Sequence, residues 1–410
     1  MQRSIKTTGL MMATGLASLA LLQPAWALDA DAFVDRIAAV YATMGYDFQF
    51  GPARLDGDTI TVDGVTVNMS GLDEPIKLKT ELTFSGVAET DDGGYVAERL
   101  TVPDIDTEFS SDPEGRISIV GMKAEDLWLP PADAISVESG MQTLGTLSTG
   151  PLSVTRDGAE VIRIDGMEMA SDFSYAGDDS LKQIDSRFSV SGIWADLSTV
   201  KDEEPEAGAV IEALGLTHIS GDIDQSMSWT MADGHMVIDR FLFDFADVGA
   251  LDFKADISGF TIPVLEKIYA LQASDLDPQS EAAQAQQMML GMELLQAFTL
   301  AHTSLRYDDA GLANNLLDFF AGQSGAERAQ FVAGLKAMLP GLVGQAGIPA
   351  LTDMVVPEAN SFLDDPQSFE IALKPANPTT LLVLSAAAAN PAGLISAIGL
   401  KIAANQPSAD

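Results

Sequence analysis

Cysteine is absent from all 410 residues. That single absence removes disulfides, thiol catalysis, iron–sulfur clusters and Cys-based zinc sites together. A chain this long buries enough core to do without cross-links. Basic residues are scarce too: 22 Lys and Arg stand against 60 Asp and Glu, for a formal net charge of −38. Phosphate binding needs clustered cations, so nucleic acid is excluded as a partner. Direct adhesion to anionic lipid headgroups is disfavoured on the same ground, and the charge reads as a solvated acidic surface. Histidine is the third shortage, with His218, His235 and His302 scattered along the chain and no H-E-x-x-H among them. A P-loop and a Rossmann glycine fingerprint are both missing. Gly322-Gln323-Ser324-Gly325 comes closest to a nucleophile elbow and fails its spacing. No cofactor and no metal are expected.

Long apolar runs are nearly absent, and the one present lies at the N-terminus. Arg3 and Lys6 precede an apolar stretch from Gly9 to Leu22, followed by Pro24-Ala25-Trp26-Ala27. This is the pattern of a cleavable signal peptide over residues 1–27, cut after Ala27. The mature chain is expected to be exported and soluble, which in a Gram-negative cell means the periplasm. Leu381 to Ala389 is the next most apolar segment. It reaches roughly half of the ~20 residues a span requires, so no transmembrane anchor is expected.

Downstream, three zones follow. Residues 28–45 read as a helix: Phe33, Ile37, Val40, Tyr41 and Met44 form one apolar stripe behind Asp29 and Asp31. Residues 46–260 alternate with period two, broken by Asp56-Gly57, Asp157-Gly158 and Asp233-Gly234. Such turns favour tight hairpins and an antiparallel meander. Residues 261–410 turn to Ala, Leu, Met and Gln, with helical segments between the strand-like pieces Thr299–Tyr307, Phe369–Lys374 and Gly399–Ala404. The fold class expected is α+β: a large, curved, mostly antiparallel sheet, forming an open groove or partial barrel. The C-terminal helices pack on it, and the interleaved strands complete the same core.

A loose repeat marks the β zone. Ile60-x-Val62-x-Gly64, Ile117-x-Ile119-x-Gly121, Ile162-x-Ile164-x-Gly166 and Phe188-x-Val190-x-Gly192 share an apolar pair followed by glycine. The acid at Asp63 is replaced by Val120 and Ser191 in two relatives, so it is not part of the unit. A glycine at that place permits a bulge, and the repeat reads as a strand bent several times over at one kind of position.

Residues that could carry chemistry have plainer readings beside them. Asp56-Gly57-Asp58, Asp222-Ile223-Asp224 and Asp275-Leu276-Asp277 invite calcium, but none continues into a twelve-residue ligand loop. Turn and cap roles account for them. Paired carboxylates would serve a hydrolase, and with so many acids such pairs arise by chance. Met288, Met289 and Met292 fall at helical spacing and suit adaptable core or the lining of an apolar groove. Trp128, Trp194 and Trp229 sit in strands, as core residues or as the aromatic lining of the same groove.

The signal peptide, the I-x-[IV]-x-G strands and the ending Asp364-Asp365-Pro366-x-Ser368-Phe369-x-Ile371-x-x-Lys374-Pro375-Ala376 resemble uncharacterised alphaproteobacterial periplasmic proteins. These are similar in pattern to YdgA-like and AsmA-like envelope proteins. The resemblance implies a curved β-rich scaffold in the cell envelope with an apolar groove. The function expected is non-enzymatic binding of an apolar ligand or an envelope protein on the curved sheet. A structural or assembly role without a small ligand, and a carboxylate-dependent hydrolase, are the alternatives.

Overall fold

The computed structural model describes residues 28–69, 75–109, 114–272, 280–387 and 391–407. The expected leader with its cleavage site, and Asp275-Leu276-Asp277, lie outside the described residues. Among the described residues, 21 strands join in one antiparallel sheet that does not close into a barrel, with helices gathered toward the C-terminal end. The α+β class read from the sequence is the one found.

Helix α1 (Ala30–Ala42) starts where Asp29 accepts hydrogen bonds from the backbone N–H groups of Asp31 and Ala32. That cap satisfies two of the donors a helix start leaves open. Its buried stripe includes Phe33, Val34 and Ile37, which pack on the first strands. These are β1 (Tyr46–Phe50), β2 (Ala53–Asp56), β3 (Thr59–Met69), β4 (Ile76–Ser85), β5 (Ala88–Glu89) and β6 (Tyr95–Thr101). Phe33 meets the rings of Phe84 and Tyr95 edge-on, at 5.1 and 5.6 Å between centroids.

The repeat then takes over. Strands β7 (Ile105–Phe109), β8 (Gly115–Ile119) and β9 (Lys123–Leu129) precede the short helix α2 (Val137–Gly140). Next come β10 (Leu144–Thr149), β11 (Leu152–Arg156), β12 (Ala159–Ile164), β13 (Gly166–Tyr175) and β14 (Leu181–Asp196). Most of these are halves of longer ribbons broken at one place. Ribbon β6/β7 breaks at residues 102–104, β8/β9 at 120–122, β10/β11 at 150–151 and β12/β13 at Asp165. Strand β14 runs through but slips register between Val190 and Ile193. The breaks lie side by side, so β6, β9, β10 and β13 pair on one side of a crease while β7, β8, β11 and β12 pair on the other. Strand β14 joins both sides. A similar break in β3 lets β1 and β2 share one edge.

Glycine is required where the ribbon turns. Gly64 has φ +82°, and a Cβ there would stand 2.6 Å from the Leu78 carbonyl oxygen. Gly192 has φ +63°, and its Cβ would strike the Asp165 side chain. At two of the creases the freed N–H finds an aspartate: Gly121 donates to Asp104 Oδ1 at 2.9 Å and Gly192 to Asp222 Oδ1 at 2.8 Å. The repeat is therefore a device for folding a sheet along a line. Asp63, beside the first glycine, is tied to Arg54 at 2.8 Å, and Arg54 also reaches Glu81 at 2.7 Å.

After the small helices α3 (Val200–Glu203) and α4 (Pro205–Ala213), three long strands extend the sheet: β15 (His218–Thr230), β16 (His235–Phe245) and β17 (Gly249–Ser258). Helices α5 (Ile262–Gln272) and α6 (Glu281–Ala297) lead to β18 (Thr299–Asp309). Three helices follow, α7 (Leu312–Ser324), α8 (Arg328–Gly344) and α9 (Pro349–Asp364). The chain ends in β19 (Ser368–Leu373), β20 (Thr379–Thr380), α10 (Leu381–Ala387), α11 (Pro391–Ile398) and β21 (Leu400–Ala404). Strand β18 pairs with β17, β19 with β18, and β21 with β19, so the last region continues the sheet begun by the first.

Candidate functional site

Residues directly opposite one another in an antiparallel pair point to the same face. Followed strand to strand, this register traces a row of side chains across the whole sheet. It runs Ile60, Phe84, Leu100, Ala124, Leu147, Met169, Phe188, Gln225, Phe241, Phe253, Leu305, Ile371 and Ile402. Gln225 alone is not apolar. A parallel row adds Met167, Val190, Ile223, Phe243, Leu251, Tyr307, Phe369 and Ala404. The row between them points to the other face and reads Ser148, Glu168, Ser189, Asp224, Leu242, Asp252, Arg306, Glu370 and Ala403. One face is hydrocarbon and the other is polar.

The hydrocarbon face is covered in patches. Helix α1 seals its start, where Ile60 and Phe84 are buried. A second cluster, Leu181, Ile184 and Trp229, is packed by Phe260 and by Ile262 and Leu265 of α5. Helices α7, α8 and α9 stand over Tyr307 and Phe369. Between these covers Leu147, Leu251, Leu305 and Ile371 remain 38, 37, 43 and 42% exposed. Strand spacing of about 4.8 Å puts roughly 34 Å of sheet between β10 and β19.

Beside the last cover lies a wide, mostly open hollow of about 450 Å³ lined by Tyr307, Leu312, Ala313, Leu316, Leu339, Ala359, Phe362, Leu363 and Phe369. That volume falls in the range of small-molecule sites. The floor residues Tyr307 and Phe369 are two positions from Leu305 and Ile371 on the same strand faces, so the cavity and the exposed strip adjoin. The Tyr307 hydroxyl lies 2.6 Å from the Val248 carbonyl oxygen and 2.8 Å from Asp309 Oδ1. Burial, reinforced by Asp309, pushes its pKa well above the usual phenol value. The hydroxyl is thus a committed donor, and only the ring is offered to the cavity. Asp309 also accepts from Gly311 N and Ala313 N, fixing the start of α7.

On the polar face, Arg306 is gripped by Asp308 at 2.6 Å and by the buried Glu370 at 3.3 Å. Its Nη1 also donates to the Gln406 carbonyl oxygen at 3.0 Å. Nearby, His235 Nε2 sits 2.8 Å from Asp256 Oδ1, and His302 stands directly across from the same aspartate. No group of three His, Asp or Glu suited to a metal ion occurs among the described residues.

Burial, then the charge of Lys374, lowers the His302 pKa from its ordinary 6.5, while Asp256 and Glu370 pull the other way. The folded state therefore holds this imidazole neutral where the unfolded chain would protonate it. Stability from this source is complete above about pH 6.5 and is lost as pH falls below it. Urea midpoints are expected to drop between about pH 7.5 and about pH 5, and His302→Gln is expected to flatten that slope. An unchanged slope in the variant would assign the pH dependence elsewhere.

The residues singled out from the sequence lie in separate places. Trp128 on β9 faces Val96 across the strand pair. Trp194 stacks on His218 at 5.9 Å, with the Arg163 guanidinium 5.4 Å from its ring centre. Trp229 is buried and donates from Nε1 to the Phe260 carbonyl oxygen at 3.0 Å. Met288, Met289 and Met292 project outward from α6, the first two more than 70% exposed. None of the six lines the cavity. The cavity residues carry no motif; their signal was the apolar alternation of Leu305, Tyr307, Phe369 and Ile371, which reads equally well as core.

A protein family described as "Uncharacterized protein" matches residues 242–405. The match begins within β16 and ends just past β21, so every residue lining the cavity falls inside it. No curated protein matches the chain. Among the described residues no helix is long and apolar enough to cross a membrane.

Proposed function

We propose that this chain is a non-enzymatic protein of the periplasm that binds an apolar ligand on the strip and cavity of its sheet. The supporting observation is the row of side chains that is interior under α1 and comes to the surface at Leu147, Leu305 and Ile371, with Leu251 exposed in the row beside it. Monomeric proteins rarely leave a contiguous apolar surface open without a use for it. The leader pattern at residues 1–27 supports the location. Saturable binding of N-phenyl-1-naphthylamine, an uncharged fluorophore, is the expected result, with lipophilic molecules recovered by mass spectrometry from protein purified out of the periplasm. A protein that is empty on isolation and silent toward the fluorophore would end this reading. The outward Met288, Met289 and Met292 favour a second one, in which an envelope protein docks on α6. Proximity labelling from that helix distinguishes the two, since only the second depends on a neighbour held at α6.

A further inference from the structure

We propose that the site selects its ligand by headgroup charge: it takes single-chain amphiphiles whose head is uncharged or cationic and rejects anionic ones. This rests on the apolar-site reading above and adds the chemical class of the occupant.

Cations are the natural partners of a carboxylate or phosphate head, and those near the cavity are already committed. Lys336 of α8 is held by both carboxylate oxygens of Asp364 at 2.7 Å. Arg328 donates to Asp318 at 3.1 Å and also to the side chain of Asn314. Arg306 is enclosed by Asp308 and Glu370. Lys254 and Lys401 belong by register to the polar face, as Arg306 does. Lys374 lies near His302, on that same side. From β10 to β21 neither apolar row contains a charged residue.

The remaining electrostatics are negative. Asp309 is one hydrogen bond from the Tyr307 ring that floors the cavity, and the chain as a whole carries −38. A hydrocarbon tail gains from leaving water on this surface whatever its head. An anionic head anchored beside it meets, among the described residues, cations that are already paired or that belong to the other face, and a repulsive field. A neutral head escapes that penalty, and a cationic head gains from it.

The test is displacement of bound N-phenyl-1-naphthylamine from the full-length protein by three amphiphiles of one chain length: a monoacylglycerol, an acylcholine and the free fatty acid. At low salt the first two are expected to displace at concentrations at least about tenfold below the fatty acid, with the gap closing as salt screens the field. In Leu305→Lys, where the exposed strip gains a cation, the fatty acid is expected to recover most of that gap. A fatty acid that matches or beats the neutral ester on the wild-type chain overturns the charge selectivity and leaves the apolar site standing. Unchanged selectivity in Leu305→Lys also overturns it. If the fluorophore binds nowhere and no amphiphile competes, the apolar site itself fails, and the selectivity with it.

Discussion

Phe33→Ala is expected to cost about 3–5 kcal/mol of folding stability, the usual range for removing a large buried aromatic. Phe33 is fully buried and supports the edge-on contacts to Phe84 and Tyr95. Its loss leaves a void under α1 that a helix capped by Asp29 and tied to β1 does not readily collapse into. Urea unfolding read by circular dichroism measures the change. A loss below about 1 kcal/mol would mean that α1 is not the keystone of the first core, since exposed positions ordinarily shift stability within ±0.5 kcal/mol.

The second large effect is on binding rather than folding. Leu305→Asp combined with Ile371→Asp is expected to weaken N-phenyl-1-naphthylamine binding by at least about tenfold, equivalent to ~1.4 kcal/mol. Both side chains are over 40% exposed, so the folded state loses little contact when they change. They stand beside Tyr307 and Phe369, where a ligand leaving the cavity would lie along the strip. The two aspartates stand directly opposite each other, so their repulsion is expected to lower the urea midpoint somewhat, and the loss of the probe is read without urea, where circular dichroism shows the variant still folded. Retained binding in the folded variant would show that the strip is not the ligand's path.

These two variants concern the same row of residues, and that is why sequence alone separated fold from site so unevenly. Alternation in 46–260 and the Asp-Gly turns made the antiparallel sheet readable, because strand period and turn chemistry are local. Asp157 and Gly158 both take positive φ in their hairpin, at 49° and 76°. The repeat glycines were readable for the same reason. Strand β10 is the least legible of these strands, since Leu144–Thr149 holds two threonines, a serine and a glycine and shows a weak apolar period. Helices α10 and α11 were hidden in a run of Ala and Leu that mimics a short membrane segment. The cavity was out of reach because its walls come from β18, β19 and three helices, joined only by packing. Whether Leu305 faces a helix or open space depends on where α7 comes to rest, and no short-range pattern encodes that.

The glycine crease has an evolutionary consequence. In β3 and β14 the ribbon absorbs one residue at the fold line, so alignment there is set separately on the two sides, whereas the ribbons from β6/β7 to β12/β13 carry one register across it. A one-residue insertion that would invert every side chain of an uninterrupted strand is confined to half a ribbon where it falls at such a slip, as in β3 and β14. The two leaves can lengthen, shorten or change surface separately while the chain threads both. Such a sheet tolerates experiment on one leaf without forfeiting the other.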